Sequence, residues 1–156
     1  TGRSTLTLTR DLLGEPLGVE IPEWPADPNG VYFGGNDMLM SPRALVTFGE
    51  LYRNDGLHDG RRVLPEGWVE TSWRGRGTSR WSGNPYGYGW WIKQVGEREV
   101  YFAWGYGGQM VFVVPELALT VVMTSDPSPV SQRSDHVDRL HALLDQRLIP
   151  AAERGG

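Results

Sequence analysis

The chain has 156 residues, 39% apolar and 22% charged, which is enough to bury one core and unlike a disordered tail. A formal net charge of −4 and the lack of any Lys/Arg cluster exclude a general nucleic-acid binder, which needs concentrated cations to displace phosphate counterions. Cysteine is absent, so there is no disulfide framework and no thiolate nucleophile, and no apolar run reaches membrane-spanning length.

The first residue is Thr1 rather than Met, and a helical pattern follows at once, so the expectation is a start inside a longer protein. Residues 4–13 read as a short helix, with Ser4 as N-cap and Gly14 just past its end. From 15 to 40, four prolines (16, 22, 25 and 28), "NG" at 29–30 and "GGND" at 34–37 predict a long irregular connection, packed as a surface wrap or kept for function. Ser41 caps the clearest helix, Pro42 fits its first turn, and Leu45, Phe48, Leu51 and Tyr52 make one apolar face before "NDG" at 54–56 ends it. "DG" at 59–60 marks a turn. A second helix is expected over 65–73, followed by a polar loop, "RGRGTSRWSGNP", at 74–85.

From Tyr86 the pattern changes to strands at 86–95, 99–104, 109–115 and 117–125, with "GER" at 96–98 as a hairpin-like break. Both residue sets of 110–114 are apolar, Met110, Phe112 and Val114 on one face and Val111 and Val113 on the other, which predicts a central strand between two layers. After "DPSP" at 126–129 a last helix begins near Ser134 or Asp135, with Val137, Leu140, Leu144 and Leu148 as its buried stripe. The fold class is therefore α+β: an antiparallel sheet of three to four strands with flanking helices. Residues 1–148 form the folded part and 149–156 a tail.

Local motifs for chemistry are few. His58, His136 and His141 read as surface or packing histidines, because five-residue spacing puts 136 and 141 on different faces of a helix; no metal site is expected. There is no phosphate-cradling Gly-x-x-x-x-Gly-Lys and no Gly-x-Ser-x-Gly elbow, although a Ser-His-Asp triad assembles from distant positions and leaves no local trace. "RGRGTSR" at 74–80 has the composition to hold an anion and reads most simply as a solvated loop. The glycine-dense "YFAWGYGGQ" at 101–109, directly ahead of an unbroken apolar strand, is the stretch that ordinary strand chemistry does not require.

The order of these pieces resembles the serine beta-lactamase-like hydrolases: class C beta-lactamases, DD-peptidases and related esterases. "GGNDMLMSPRALVTFGELYRNDGLHDGRRVLPEGWVETS", "YGYGWWI" and "FAWGYGGQMVFVVPELALTVVMTS" are similar, in sequence and order, to the C-terminal segments of that family. The resemblance runs from about residue 1 to 148 and implies the C-terminal part of a beta-lactamase/transpeptidase-like fold. In that family the Ser of a Ser-x-x-Lys attacks a carbonyl, with the Lys and a Tyr of Tyr-x-Asn moving protons. Lys93 is the only lysine here, and the residue three positions before it is Trp90, so this chain contains no Ser-x-x-Lys. Tyr52-Arg53-Asn54 matches Tyr-x-Asn as a string, yet Tyr52 falls on the apolar face of its helix and reads as packing. The resemblance therefore places no catalytic residue in this chain; nucleophile, Lys and Tyr are expected upstream.

The resemblance further implies that Trp104, Gly105, Tyr106, Gly107, Gly108 and Gln109 form a substrate-binding and oxyanion wall, with Trp104 in the place of the family's Lys-Thr-Gly or His-x-Gly first residue. The backbone donor would be at Tyr106 or Gly107. The stretch departs from the family in having no Lys or His, which fits ester or neutral amide substrates better than anionic ones. The competing reading of the same glycines is a bulge and close helix packing. Trp73, Trp90 and Trp91 read as core or cleft-edge residues. No cofactor is implied. The implied partners are a small-molecule ester or amide and either the missing N-terminal segment or a second copy; nucleic acid and a membrane span are not expected. A noncatalytic fragment acting as an interaction module is the alternative.

Overall fold

The computed structural model of the chain describes residues 2–80, 82–127 and 134–155. Helices α1 (Thr5–Thr9) and α2 (Glu15–Leu17) are one continuous helical segment joined by a π-helical stretch, Arg10–Gly14, and Ser4 Oγ caps its start by accepting from the Thr7 N–H at 3.1 Å. The helix passes the stop expected at Gly14 and ends at Gly18, whose φ is +62°. Pro16 lies inside it without breaking it. The Glu15 N–H reaches back five residues to the Arg10 carbonyl, and this wider turn accommodates a proline ring that would otherwise clash with the carbonyl four residues earlier.

The connection from 18 to 41 carries its own small core of Leu6, Ile21 and Trp24, with the Trp24 indole N–H donating to the Phe33 carbonyl at 2.9 Å. Helix α3 (Pro42–Arg53) has the expected cap: Ser41 Oγ accepts from the Ala44 N–H at 3.1 Å. It ends at Asn54 and turns through Asp55 and Gly56, both at positive φ. The hairpin of β1 (Leu57–His58) and β2 (Arg61–Arg62) follows, then α4 (Trp68–Trp73), which is shorter than expected because Pro65–Gly67 form the turn before it.

The main sheet is an antiparallel meander in the order β3 (Gly77–Thr78), β4 (Pro85–Tyr86), β5 (Trp91–Val95), β6 (Arg98–Gly105), β7 (Gln109–Val114), β8 (Leu119–Met123). Four strands carry most of the pairing, as expected, and two two-residue strands extend them. The strand expected over 86–95 is divided. Residues 87–90 form a turn closed by the Gly87 N–H donating to the Trp90 carbonyl at 2.8 Å, and the Tyr88 N–H donates to the Ser72 carbonyl at the end of α4. A Cβ at Gly87 would stand 2.1 Å from that same carbonyl, so only glycine lets the chain fold back there.

Strand β7 is the inner member of the β6–β7–β8 group and is buried from Met110 to Val114. Met110, Phe112 and Val114 pack with Val100 and Phe102 against Leu144 and Ile149. On the opposite face, Val111 and Val113 pack against Tyr52, Val69 and Trp90. The closing helix comprises α5 (Ser134–Leu143), a π stretch at Leu144–Leu148, and α6 (Ile149–Gly155). Its expected stripe, Val137, Leu140, Leu144 and Leu148, lies against the first of these clusters. The second half of "DPSP", 128–129, belongs to the stretch 128–133 that lies outside the described residues. Of the tail expected at 149–156, the described residues 149–155 are helical instead: Ile149 is in the core and the helix runs to Gly155. Pro150 is again tolerated next to a π turn, with the Ile149 N–H donating to the Leu144 carbonyl.

Helix α3 crosses β7 and β8 closely at Gly49, where a Cβ would meet Thr120 Cγ2 at 2.6 Å and Val111 Cγ1 at 3.1 Å. Both neighbours are β-branched and stiff, so they cannot swing aside. Gly49→Ala is expected to lower the unfolding free energy by about 1 kcal/mol or more in urea denaturation, overpacking outweighing the better helix propensity of alanine.

Candidate active site

The stretch 104–109 is the hairpin between β6 and β7. Gly105 pairs with Gln109, and Tyr106, Gly107 and Gly108 form a three-residue loop whose two glycines have φ of +76° and +91°. Gly108 is fixed by a second demand as well. A Cβ there would lie 2.8 Å from Leu140 Cδ1 and 3.1 Å from His136 Nε2 on the closing helix. Turn geometry and helix packing therefore account for Gly107 and Gly108.

Polar contacts lock the base of this hairpin. The Gln109 side-chain amide grips the Ser125 backbone at both groups, donating to its carbonyl at 2.6 Å and accepting from its N–H at 3.2 Å. Ser125 Oγ donates to the Gly108 carbonyl at 3.2 Å and stands 2.9 Å from His136 Nε2. Since that hydroxyl proton goes to the carbonyl, the imidazole donates to Ser125 Oγ. Gln109 thus acts from behind the loop, holding β7 to the end of β8. His136, read from the sequence as a surface or packing histidine, takes this polar contact instead, and Ser125 was not singled out, because a contact that joins strand end to helix leaves no spacing signal.

The outer edge of the hairpin is different. Pairing between β5 and β6 ends at Trp91 opposite Phe102, so Ala103, Trp104 and Gly105 have a ladder partner on β7 alone. The Gly105 carbonyl accepts from the Gly108 N–H at 3.3 Å and so points across the hairpin. Backbone groups alternate along a strand, which turns the N–H and C=O of Trp104 to the opposite, open edge. The Trp104 side chain, 41% exposed, joins a row with Trp91 and Tyr86 (ring centroids 6.0 and 4.5 Å apart), and Tyr106 is 70% exposed at the loop tip.

The other sequence candidates lie elsewhere. Tyr52 is buried, 4.6 Å ring to ring from the buried Trp90, and has a packing role. Trp73 stacks on Tyr101 at 3.9 Å. Lys93 is drawn inward, its side chain 12% exposed, and donates to Asp145 at 2.7 Å and to His141 Nδ1 at 3.0 Å. An ammonium only donates, so His141 is neutral with its proton on Nε2. Burial, and then the Lys93 charge, lower the His141 pKa to about 4. The only lysine of the chain thus ties the sheet to the closing helix. His58 Nε2 lies 3.7 Å from Asp59. Among the described residues no three His, Cys, Asp or Glu side chains form a group able to hold a metal, and no helix is long and apolar enough to cross a membrane.

A family model described as beta-lactamase matches residues 2–145. The chain belongs to the beta-lactamase family. Among solved structures, a protein from Bacillus anthracis assigned as a 6-aminohexanoate-dimer hydrolase superposes with a TM-score of 0.75 at 20% sequence identity, over 99% of this chain and 39% of its own length. No curated protein matches the sequence. The chain is thus a partial beta-lactamase-like domain, and its six-stranded sheet with helices on both faces is the corresponding part of that fold.

Two outcomes follow from this geometry. Gly108→Ala is expected to cost about 2–4 kcal/mol, strain at positive φ plus overpacking, whereas Gly60→Ala, also at positive φ but facing open space, costs about 1–2 kcal/mol; thermal or urea unfolding measures both. His141 takes a proton near pH 4 in the folded state and near 6.5 when unfolded. Between those values the unfolded chain binds more protons, so stability is full above about 6.5 and declines as the pH falls toward 4. Urea titrations across that window show a shallower acid loss in His141→Gln than in the native chain.

Proposed function

We propose that this chain is the C-terminal part of a serine hydrolase that cleaves ester or amide bonds through an acyl-enzyme. The nucleophilic Ser with its Lys, and the proton-handling Tyr, then lie on a segment upstream of Thr1. The observation that carries this reading is the open edge of β6 beside the glycine loop. Trp104 turns its backbone groups outward and Tyr106 follows two residues on, at the start of the loop, so an extended substrate can lie along β6 as an added strand with its carbonyl oxygen near Tyr106. Of the two donors considered, Tyr106 rather than Gly107 is proposed, because Tyr106 is the nearer to the open edge of β6.

In the proposed reaction the Ser hydroxyl attacks the carbonyl carbon as its proton passes to the Lys/Tyr pair. The negative charge formed on oxygen is received by the Tyr106 N–H and a second donor, and collapse expels the alcohol or amine with that proton. Water then hydrolyses the acyl-enzyme. The wall has no cation between Ala103 and Gln109, and its exposed side chains are aromatic, which supports a neutral ester or amide substrate over an anionic one. The solved relative assigned as a 6-aminohexanoate-dimer hydrolase, an amide-cleaving name, is compatible with that class.

A second reading, an interaction module, is favoured by β8. That strand ends the sheet, yet its two faces are packed, with Leu119, Val121 and Met123 on the closing-helix side and Val122 on the α3 side. Packing on both faces suits an inner strand, and its outer edge carries no lysine, proline or bulge to repel another strand. Either an upstream segment of the same protein or a second copy fits there.

The coding sequence ahead of Thr1 separates the two readings, because Ser-x-x-Lys and Tyr-x-Asn there support the enzyme and a start codon directly before Thr1 removes it. The chain alone is expected to give no burst of p-nitrophenolate from p-nitrophenyl acetate; a stoichiometric burst that survives purification overturns the assignment of the missing groups. In the enzyme with its upstream segment, Tyr106→Pro deletes the amide donor and is expected to lower kcat by about 10²–10³, while Tyr106→Phe leaves it near the native value. Sedimentation of the chain alone is expected to show concentration-dependent association, and monomeric behaviour throughout counts against an open β8 edge.

A further inference from the structure

Strand register sets the aromatic residues on the closing-helix face of the sheet in one line. Tyr86 is paired with Trp91, Trp91 with Phe102 and Phe102 with Phe112, and directly opposed residues of antiparallel strands put their side chains on the same face. Trp104 shares that face two residues beyond Phe102 and stands diagonal to Trp91. The closing helix covers one end of the line: Phe102 and Phe112 are buried, with the His141 ring edge-on to both. The other end lies beyond that cover. Tyr86 and Trp104 are exposed, and Trp91 between them is half-buried.

The course of the preceding loop leaves the place beside Trp104 open. Continuing the pairing of Trp91 with Phe102 would set Gly89 opposite Trp104, but residues 87–90 turn instead. The Tyr88 N–H donates to the Ser72 carbonyl at 2.8 Å and the Tyr88 ring stacks on Trp68, so the loop leans to the α4 face, away from the Trp104 ring. The Trp104 N–H and C=O therefore face an unfilled ladder position. An extended group that fills it and pairs with Trp104 has its side group on Trp104's own face, beside Trp91 and towards Tyr86. The rings there are tilted by 58° and 53° to one another, so they form no flat platform but offer faces and edges to a further ring. The cations of this face on β5 and β6 are committed elsewhere, Lys93 to Asp145 and Arg98 to Glu116 and Glu153.

We propose that Trp91 and Tyr86, with the Trp104 ring, form a subsite that selects an aryl side group on an extended ester or amide substrate. The role in substrate choice rests on the hydrolase reading, whereas binding of such a group to the row needs no nucleophile.

The test has two arms. In the first, the ¹⁵N-labelled chain is titrated with N-acetyl-L-phenylalaninamide, which carries amides for Trp104 and a phenyl group for the row, and with N-acetyl-L-alaninamide as its match, read by two-dimensional NMR. The expected result is saturable shifts of the Trp104 backbone amide and of the Trp91 and Trp104 indole N–H signals, with the alanine compound binding about tenfold or more weakly. Tyr86→Ser, at an exposed position, narrows that gap by about threefold, and Trp104→Leu closes most of it; the same spectra show whether each variant is folded. In the second arm, the protein with its upstream segment hydrolyses p-nitrophenyl butyrate, and the phenylalanine compound inhibits competitively while the alanine compound is about tenfold weaker. The subsite is overturned if the two compounds bind the chain equally, if Tyr86→Ser and Trp104→Leu, both folded, keep the native preference, or if the shifts fall away from Trp91 and Trp104. Loss of the response once the upstream segment is present also overturns it, because that segment then covers the row. Binding without any ester turnover in the longer protein sinks the hydrolase reading and with it the role in substrate choice, while turnover without competition sinks the subsite alone.

Discussion

Everything in this domain hangs on the burial of β7 from both sides. Five consecutive apolar residues cannot face water on either side without a large penalty, since burying each Val, Phe or Met side chain is worth about 1.5–3 kcal/mol. They therefore require two layers. The closing helix supplies one through Leu144 and Ile149, and α3 with α4 supplies the other through Tyr52 and Val69. The meander places β6 and β8 on either side of β7, and the hairpin that carries the candidate site is the direct continuation of this buried strand.

The close approach of the layers explains where glycine sits. Gly49 lets α3 settle on Val111 and Thr120, Gly108 lets the closing helix reach the hairpin, and Gly87 lets the chain fold back onto α4. Polar groups then fix what apolar packing leaves free to slide. Lys93 crosses from the sheet to Asp145 and His141, and Gln109 holds Ser125 by both backbone groups. Both contacts are part-buried and join groups far apart in sequence, so they fix how the strands and the closing helix sit against one another. The hairpin that results has a rigid inner side and an unpaired outer edge.

That asymmetry separates two demands placed on one short stretch. Gly107 and Gly108 meet the turn and the helix behind it, while Trp104 and Tyr106 face the other way, with exposed side chains and backbone groups clear of β5. The proposed acyl transfer asks for a fixed amide donor and an open approach to it, and a strand that outruns its neighbour is suited to both. In the proposed reaction the nucleophile comes from another segment; the solved relative is longer than this chain, which spans 39% of it.

Much was legible in the order of residues. Period and caps placed α3, the four main strands and the stripe of the closing helix, because those signals depend on near neighbours. The doubly apolar run at 110–114 announced an inner strand for the same reason, and the family followed from motif order along 1–148. Other features escaped. The helices pass Pro16 and Pro150 because a π turn widens beside each, and Ile149 belongs to the core rather than a tail because the sheet opposite is long enough to cover it. The short strands β3 and β4, the break at 87–90, the Ser125–His136 contact and the inward turn of Lys93 all depend on partners far away in sequence. Sequence alone placed this chain in the beta-lactamase family, with an inner strand between two layers and a glycine-dense stretch directly ahead of it. Which glycines serve packing, and which backbone groups remain open, was decided only by tertiary structure, since strand pairing is set by distant partners and not by the residues beside it.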